Sequence, residues 1–301
     1  MRRLLRILML AAAWVLPACV SAPPMADVTF QRRDDARIVI DVEVNGQGPY
    51  PFILDTGAGA TVLSAALIEE LGLTQRAFGV VVYSVDSTTR APAYEGVTIG
   101  VGDATFVTPW VVSLEPPERA SGVLGMDILS QRAVEIDGPQ RRVRLHTGRF
   151  TPPQRSRVAR APLVIDATGL PHADVSVNDA PGRALIDTGL AGVIMDPGYA
   201  ERARVDASHE TFHFVDLTNT TSRVRRAGDG LLRLGPVRWR VRNMAIFRPA
   251  VLDRLGTGQS TEMILGARVF ETASLVLDVP RGEMFLVHDT TMRTGTRTLA
   301  Q

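Results

Sequence analysis

Lysine is absent from this 301-residue chain, and all 33 basic residues are arginine. Biased codon usage in a GC-rich genome accounts for that as well as any function does, so no role is assigned to it. Basic and acidic residues nearly cancel, 33 against 32, leaving a formal net charge of +1. Charge therefore offers no argument for a nucleic-acid or strongly acidic partner. Cys19 is the sole cysteine, which excludes an internal disulfide. Aromatic residues make up only 6% of the chain. No low-complexity tract occurs. The apolar stretch Ile7 to Leu16 is too short to span a bilayer, which takes roughly 20 residues.

That stretch follows a basic start, Met1-Arg2-Arg3-Leu4-Leu5-Arg6, and together they read as an export signal. Leu16-Pro17-Ala18-Cys19 comes next and resembles a bacterial lipobox, whose cysteine is lipidated and becomes the mature N-terminus. The expectation is an exported protein on the periplasmic side, lipid-anchored to a bacterial membrane through Cys19. The chain is 45% hydrophobic overall, ample for two lobes of ordinary domain size, each with its own core.

Two lobes are also what the internal repeats imply. Asp-Thr-Gly occurs twice, each time after a short apolar run: Phe52-Ile53-Leu54-Asp55-Thr56-Gly57 and Ala184-Leu185-Ile186-Asp187-Thr188-Gly189. Agreement extends well beyond these copies. Val42-Glu43-Val44-Asn45 matches Val175-Ser176-Val177-Asn178, and Val85-Asp86-Ser87-Thr88 matches Val215-Asp216-Leu217-Thr218. Val123-Leu124-Gly125 matches Ile264-Leu265-Gly266, and Ile136-Asp137-Gly138-Pro139 matches Leu277-Asp278-Val279-Pro280. Order is kept and the offset drifts little, as loop insertions in a duplicated domain produce. The expected organisation is a signal and lipobox segment (1–26), an N-terminal lobe (27–146), a linker (147–160) rich in Pro and Arg, a C-terminal lobe (161–289) and a tail (290–301).

Each unit reads as mostly strand. Arg37 to Gly46 alternates apolar and polar residues before a turn, and Val80-Val81-Val82-Tyr83 and Phe106-Val107-Thr108 are β-branched or aromatic. Arg142 to Leu145 follows a Gly-Pro turn and reads as the return arm of a hairpin. Helix signals are few. Ser64 to Gly72 has a Ser cap, apolar spacing of three to four and a Gly stop, and Tyr199 to Arg204 is a weaker twin.

A carboxylate leaving a buried strand into a Gly turn is held rigidly in a partly dry place. Two of them facing each other can share one proton. One is then the base that activates a water, and the other the acid that polarises a carbonyl.

These residues resemble the retropepsin and pepsin-like aspartic peptidases over about Arg37 to Leu286. The longest stretch of likeness is Asp55-Thr56-Gly57-Ala58-Gly59-Ala60-Thr61-Val62-Leu63. The resemblance implies a mostly β, two-lobed, acid-protease-like barrel fold and an aspartic endopeptidase whose substrate lies extended in the inter-lobe cleft. It implies Asp55 and Asp187 as the catalytic pair. Thr56 and Thr188 then link the two loops, and Gly57 and Gly189 leave room for the water and donate N–H groups. It places a substrate-covering flap near Tyr83 to Thr89, with Tyr83, Asp86 and Ser87 as substrate-side candidates. Val123-Leu124-Gly125 and Ile264-Leu265-Gly266 pass under the loops. No cofactor or metal is expected, and both Asp residues in one chain imply an active monomer. The second copy departs from the pattern with Leu190 in the place of Ala58 and Val193 in the place of Thr61. Pepsins commonly carry Ser or Thr where this chain has Ala58 and Leu190.

Two other readings compete. His209-Glu210-Thr211-Phe212-His213 spells a zinc-peptidase pattern, which needs a helix to bring residues i and i+4 to one metal. The local composition favours a strand, on which they stand about 13 Å apart. A catalytically silent peptide-binding lipoprotein of the same fold is the other alternative, since a cleft between β lobes can bind an extended peptide without cutting it.

Overall fold

The computed structural model describes residues 24–34, 36–85, 87–117, 120–154, 156–215, 221–242, 244–253 and 261–289. The expected signal with Cys19, the tail from 290 and the flap candidate Asp86 lie outside the described residues. The fold is mostly β. Among the described residues the strands form three sheets, one in each lobe and one shared between them.

In the first lobe, Ile38–Val44 pairs antiparallel with Gln47–Leu54. The alternation read from the sequence is what buries it, with Ile38, Ile40, Val42 and Val44 each at most 1% exposed. Gln47–Leu54 then runs parallel to Gly122–Leu124. Val62–Leu63 packs between Gly122–Leu124, antiparallel, and Ala104–Ser113, parallel. The second lobe repeats this connectivity. Ala180–Asp187 runs parallel to Met263–Gly266, and Val193–Met195 lies between that strand and Met244–Ile246. A parallel neighbour buried on both sides needs an apolar run, and Phe52-Ile53-Leu54 and Leu185-Ile186 supply it.

The shared sheet contains the axis that relates the lobes. Ala133–Asp137 pairs antiparallel with Ser274–Asp278, and Glu135 stands opposite Val276, its own counterpart in the repeat. Only a twofold relation places equivalent residues opposite one another. Arg142–His146 returns beside Ala133–Asp137, as expected, and Ala26–Thr29 adds an edge. At the opposite edge Ser156–Pro162 pairs with Glu283–Asp289. The stretch 147–160, expected as a linker, thus includes five residues of an edge strand. Ala159 and Ala161 are buried there, while Arg157 and Arg160 are exposed and hide the pattern.

Helices are short. Ala65–Leu71 is capped by the Ser64 hydroxyl, which accepts from the Leu67 N–H at 3.2 Å, and ends at Gly72 with φ 63°. Its twin is Pro197–Arg202, two residues upstream of the expected span, because Asp196 caps it through the N–H groups of Gly198 and Tyr199.

Candidate active site

Each Asp-Thr-Gly loop begins where an interior strand ends. Asp55 follows Gln47–Leu54 and its N–H donates to the Leu124 carbonyl at 3.1 Å. Asp187 closes Ala180–Asp187, in register with Gly266. Both glycines of the Val-Leu-Gly and Ile-Leu-Gly segments pass against the loops, where a side chain has no room. A methyl on Gly125 overlaps the backbone of Ala60, and one on Gly266 overlaps that of Gly192 and Leu190. The residues after them fasten the loops from below: Met126 N–H to Ala58 O and Ala267 N–H to Leu190 O, both at 2.8 Å.

The two loops interlock. Thr56 N–H donates to Thr188 Oγ1 at 3.1 Å, and Thr188 N–H donates to Thr56 Oγ1 at 3.0 Å. Each hydroxyl passes its proton on to the opposite strand, Thr56 to Ile186 O at 2.7 Å and Thr188 to Leu54 O at 2.8 Å. Each aspartate also accepts from its own loop. Asp55 Oδ1 takes the Gly57 N–H at 2.7 Å, and Asp187 Oδ1 takes those of Gly189 at 2.9 Å and Leu190 at 3.1 Å. The carboxyls face each other across the axis, each lying against the glycine of the opposite loop. Gly57 and Gly189 are what let them meet, because a methyl on either overlaps the carboxylate of the opposite loop.

The pair is electrostatically unequal. Burial pushes the Asp187 carboxyl well above the usual range, and the negative charge of Asp55 adds to the rise. Burial also raises Asp55, but the Gly57 N–H, Asp187 and the positive charge of Arg37 oppose it. The two carboxyls titrate as a pair, and the cationic side chain of Arg37 acts on it from outside the loops. Arg37, half-buried, lies in the cleft with its Nε 3.1 Å from the Gly189 carbonyl. Its counterpart in the repeat, at the offset that separates Val42 from Val175, is Leu170, which also lines the cleft. One arginine against one leucine breaks the symmetry that the two loops otherwise share. Nothing in the Asp-Thr-Gly motif signals this residue; the only sequence trace is a cation where the second copy has an aliphatic side chain.

A cavity of about 440 Å³ opens over the carboxyls. Beside Asp55 its wall is apolar, formed by Val62 from the Asp-Thr-Gly stretch and by Trp110, Val112 and Leu114, which the motifs do not single out. The hairpin of Gln75–Tyr83 and Thr88–Val101 covers it from above, where Val80 to Val85 face the cavity. Its tip rests on the other lobe, with the Val251 N–H donating to Val85 O at 3.3 Å. Tyr83, one of the flap candidates, lines the cavity. Ser87 closes the turn by accepting from the Ser84 N–H at 3.0 Å and does not line the cavity. His209 and His213 are exposed on the strand Ala207–Val215, the element expected for them, and among the described residues no group of three His, Cys, Asp or Glu side chains could hold a metal.

A family model described as aspartyl protease matches residues 40–128 and 173–269, so that each matched segment contains one Asp-Thr-Gly loop. No curated protein sequence matches the chain. Among solved structures, the crystal structure of the aspartic proteinase from Irpex lacteus has a similar fold, with a TM-score of 0.58 at 11% identity, covering 88% of this chain and 97% of that one.

Proposed function

The chain belongs to the aspartyl protease family, and from that premise we propose that it is an aspartic endopeptidase whose catalytic pair is Asp55 and Asp187. One observation carries this reading: two carboxyls, one from each lobe, face each other across interlocked loops on the floor of a cleft. In the proposed reaction the Asp55 carboxylate takes a proton from a water as its oxygen attacks the peptide carbonyl carbon. Asp187 gives its proton to the carbonyl oxygen. The resulting diol collapses when Asp55 passes its proton to the amide nitrogen and Asp187 recovers one from a diol hydroxyl. The C–N bond breaks, and an acid and an amine leave with the pair restored. Thr56 and Thr188 fix the loops, and the hairpin bearing Tyr83 closes over an extended peptide.

The test is cleavage of a peptide library by the wild-type protein and by Asp55→Asn and Asp187→Asn. Both variants fold and both lose activity, since the carboxyls act as one unit. EDTA leaves the wild-type rate unchanged, and specific activity does not fall on dilution, because one chain carries both carboxyls. Substantial cleavage by either variant overturns the assignment. Peptide binding without cleavage by the wild type supports the silent-binder alternative instead. Export and lipid anchoring belong to the same proposal, on the strength of the basic start, the apolar stretch and Cys19. Release of Cys19→Ala from the membrane fraction supports the anchor, and a wild-type protein that is never membrane-bound removes it.

A further inference from the structure

A second cavity, about 340 Å³, lies in the C-terminal lobe and shares Leu190 with the main cleft. Strand pairing identifies it as the counterpart of the apolar chamber beside Asp55. There Val62 pairs in parallel with Val112; here Ile194 pairs in parallel with Ala245. Each chamber is roofed by its lobe's hairpin, at Val80 and Val82 in the first and at Phe212 and Val224 in the second.

The two chambers differ in charge. The second has Arg226 and Arg268 in its wall, and the first has no cation among the residues of its apolar wall. Counting from Tyr83 and His213, Phe212 corresponds to Val82. The cross-strand partners then place Arg226 at the position of Ala91, which is 2% exposed. Counting from Gly125 and Gly266, Arg268 corresponds to Asp127. Asp127 is consumed inside its own lobe, accepting from Thr61 Oγ1 at 2.8 Å and Thr108 Oγ1 at 3.0 Å. Val193 stands in the place of Thr61, so the second lobe has no such hydroxyl, and Arg268 extends to donate to the Asp34 carbonyl at 3.0 Å. Arg226 lies over the Phe212 ring, 5.3 Å from its centroid, and pairs with Glu210 at 3.1 Å. Glu210 is 73% exposed at its side chain, so that pair is a solvated one that another carboxylate can replace at little cost.

We infer that this chamber binds an acidic side chain, Glu or Asp, of an extended peptide substrate on the Asp187 side of the cut bond. The inference rests on the peptidase reading of the main cleft. An aliphatic stem packs on Ile194, Phe212 and Val224, and the carboxylate meets Arg226 and Arg268. Continuity through Leu190, three residues after Asp187, places the acidic residue within a few positions of the scissile bond.

The test uses a peptide cleaved by the wild-type protein, resynthesised with Glu, Gln or Arg at each of three positions on either side of the cut. kcat/KM is measured for each peptide, and its Kd is measured by fluorescence anisotropy. Glu is favoured over Gln by about twofold to fivefold at one position on one side, the range that partly exposed ion pairs give. The preference shrinks as salt rises. It collapses toward one in Arg226→Gln/Arg268→Gln, survives in Arg226→Lys, grows in Glu210→Gln, and turns toward Arg in Arg226→Glu. A merely structural arginine does not invert a preference. Equal rates for Glu and Gln at every position, or a preference indifferent to the double variant, overturn the inference. So does removal of residues only from peptide C-termini, which signals recognition of a free carboxylate. If no library peptide is cut, the peptidase reading fails, and the Glu-to-Gln ratio of Kd values, measured on the tightest-binding library peptide resynthesised in the same way, still decides this one.

Discussion

Thr56 and Thr188 are each other's hydrogen-bond partner twice over. The N–H of each donates to the hydroxyl of the other, at 3.1 and 3.0 Å, and both residues are at most 1% exposed. Their hydroxyl protons go to Ile186 O and Leu54 O, the carbonyls one residue before the aspartates. All four groups of the knot are therefore satisfied within it, and the loops that present Asp55 and Asp187 cannot shift independently.

Replacing one of these threonines by valine keeps the shape and removes the hydroxyl. Thr188→Val leaves the Thr56 N–H and the Leu54 carbonyl buried without partners. At about 1–3 kcal/mol for each stranded group, the variant loses roughly 2–4 kcal/mol of stability, allowing for relaxation. Thr188→Ser retains the hydroxyl and stays close to wild type. Thermal unfolding measures the first effect, and kcat on a cleavable peptide measures the accompanying loss of carboxyl alignment. A valine variant as stable and as fast as the serine variant removes the threonine knot from the account.

Away from the cleft, His172 is fully buried between Asp166 Oδ2, 3.0 Å from Nε2, and Thr261 Oγ1, 3.2 Å from Nδ1. Burial pushes its pKa below the usual imidazole value of 6.5, although the hydrogen bond and charge of Asp166 pull the other way. The folded state thus binds the proton less readily than the unfolded one. Stability from this group is present above about pH 6.5 and is lost as the pH falls below it. His288, lowered by burial and by Arg157, acts with the same sign. Asp187 acts oppositely: its raised pKa adds stability as the pH falls toward 3.8. Melting curves in the Asp187→Asn background remove the most strongly raised carboxyl, and comparison with and without His172 isolates that histidine. There Tm falls below pH 6.5, and adding His172→Gln makes the fall shallower even though it lowers Tm throughout. An unchanged slope assigns the acid sensitivity to other groups.

What could be read in advance follows from what is local. The Asp-Thr-Gly loops, the Gly that passes under each and the Ser64 cap are short backbone devices whose residues are dictated by their own conformations, and so they were legible one by one. The duplication was legible because its pieces keep their order. Arg37 was not, because it reaches Asp55 and the Gly189 carbonyl only after two lobes have folded and met. The strand at Ser156–Pro162 was hidden by Arg157 and Arg160, exposed on an edge strand, which break up its apolar pattern. Ser87 lies near the tip of the predicted flap, but a turn residue's facing is set by its own hydrogen bond to Ser84 rather than by its neighbours'.

The inequality of the carboxyls makes a prediction about pH. Activity requires one proton on the pair, so the acid limb reports the first ionisation and the alkaline limb the second. Burial raises both carboxyls above 3.8, Asp187 the more strongly, and neither Ala58 nor Leu190 offers a hydroxyl to stabilise a charged form. Both limbs are accordingly displaced upward, and the working range is mildly acidic to near neutral. Arg37→Gln removes the positive charge that holds Asp55 down, so the acid limb moves to higher pH. Ala58→Ser supplies a hydroxyl donor beside Asp55, so the same limb moves to lower pH. The measurement is kcat/KM against pH for the three proteins on one peptide with no ionisable side chains. Opposite displacements in the two variants fit an Asp55 that is the base of the pair and is tuned from outside its own loop. An optimum near pH 2, or an acid limb that stays in place when Arg37 is replaced, sinks that assignment of roles.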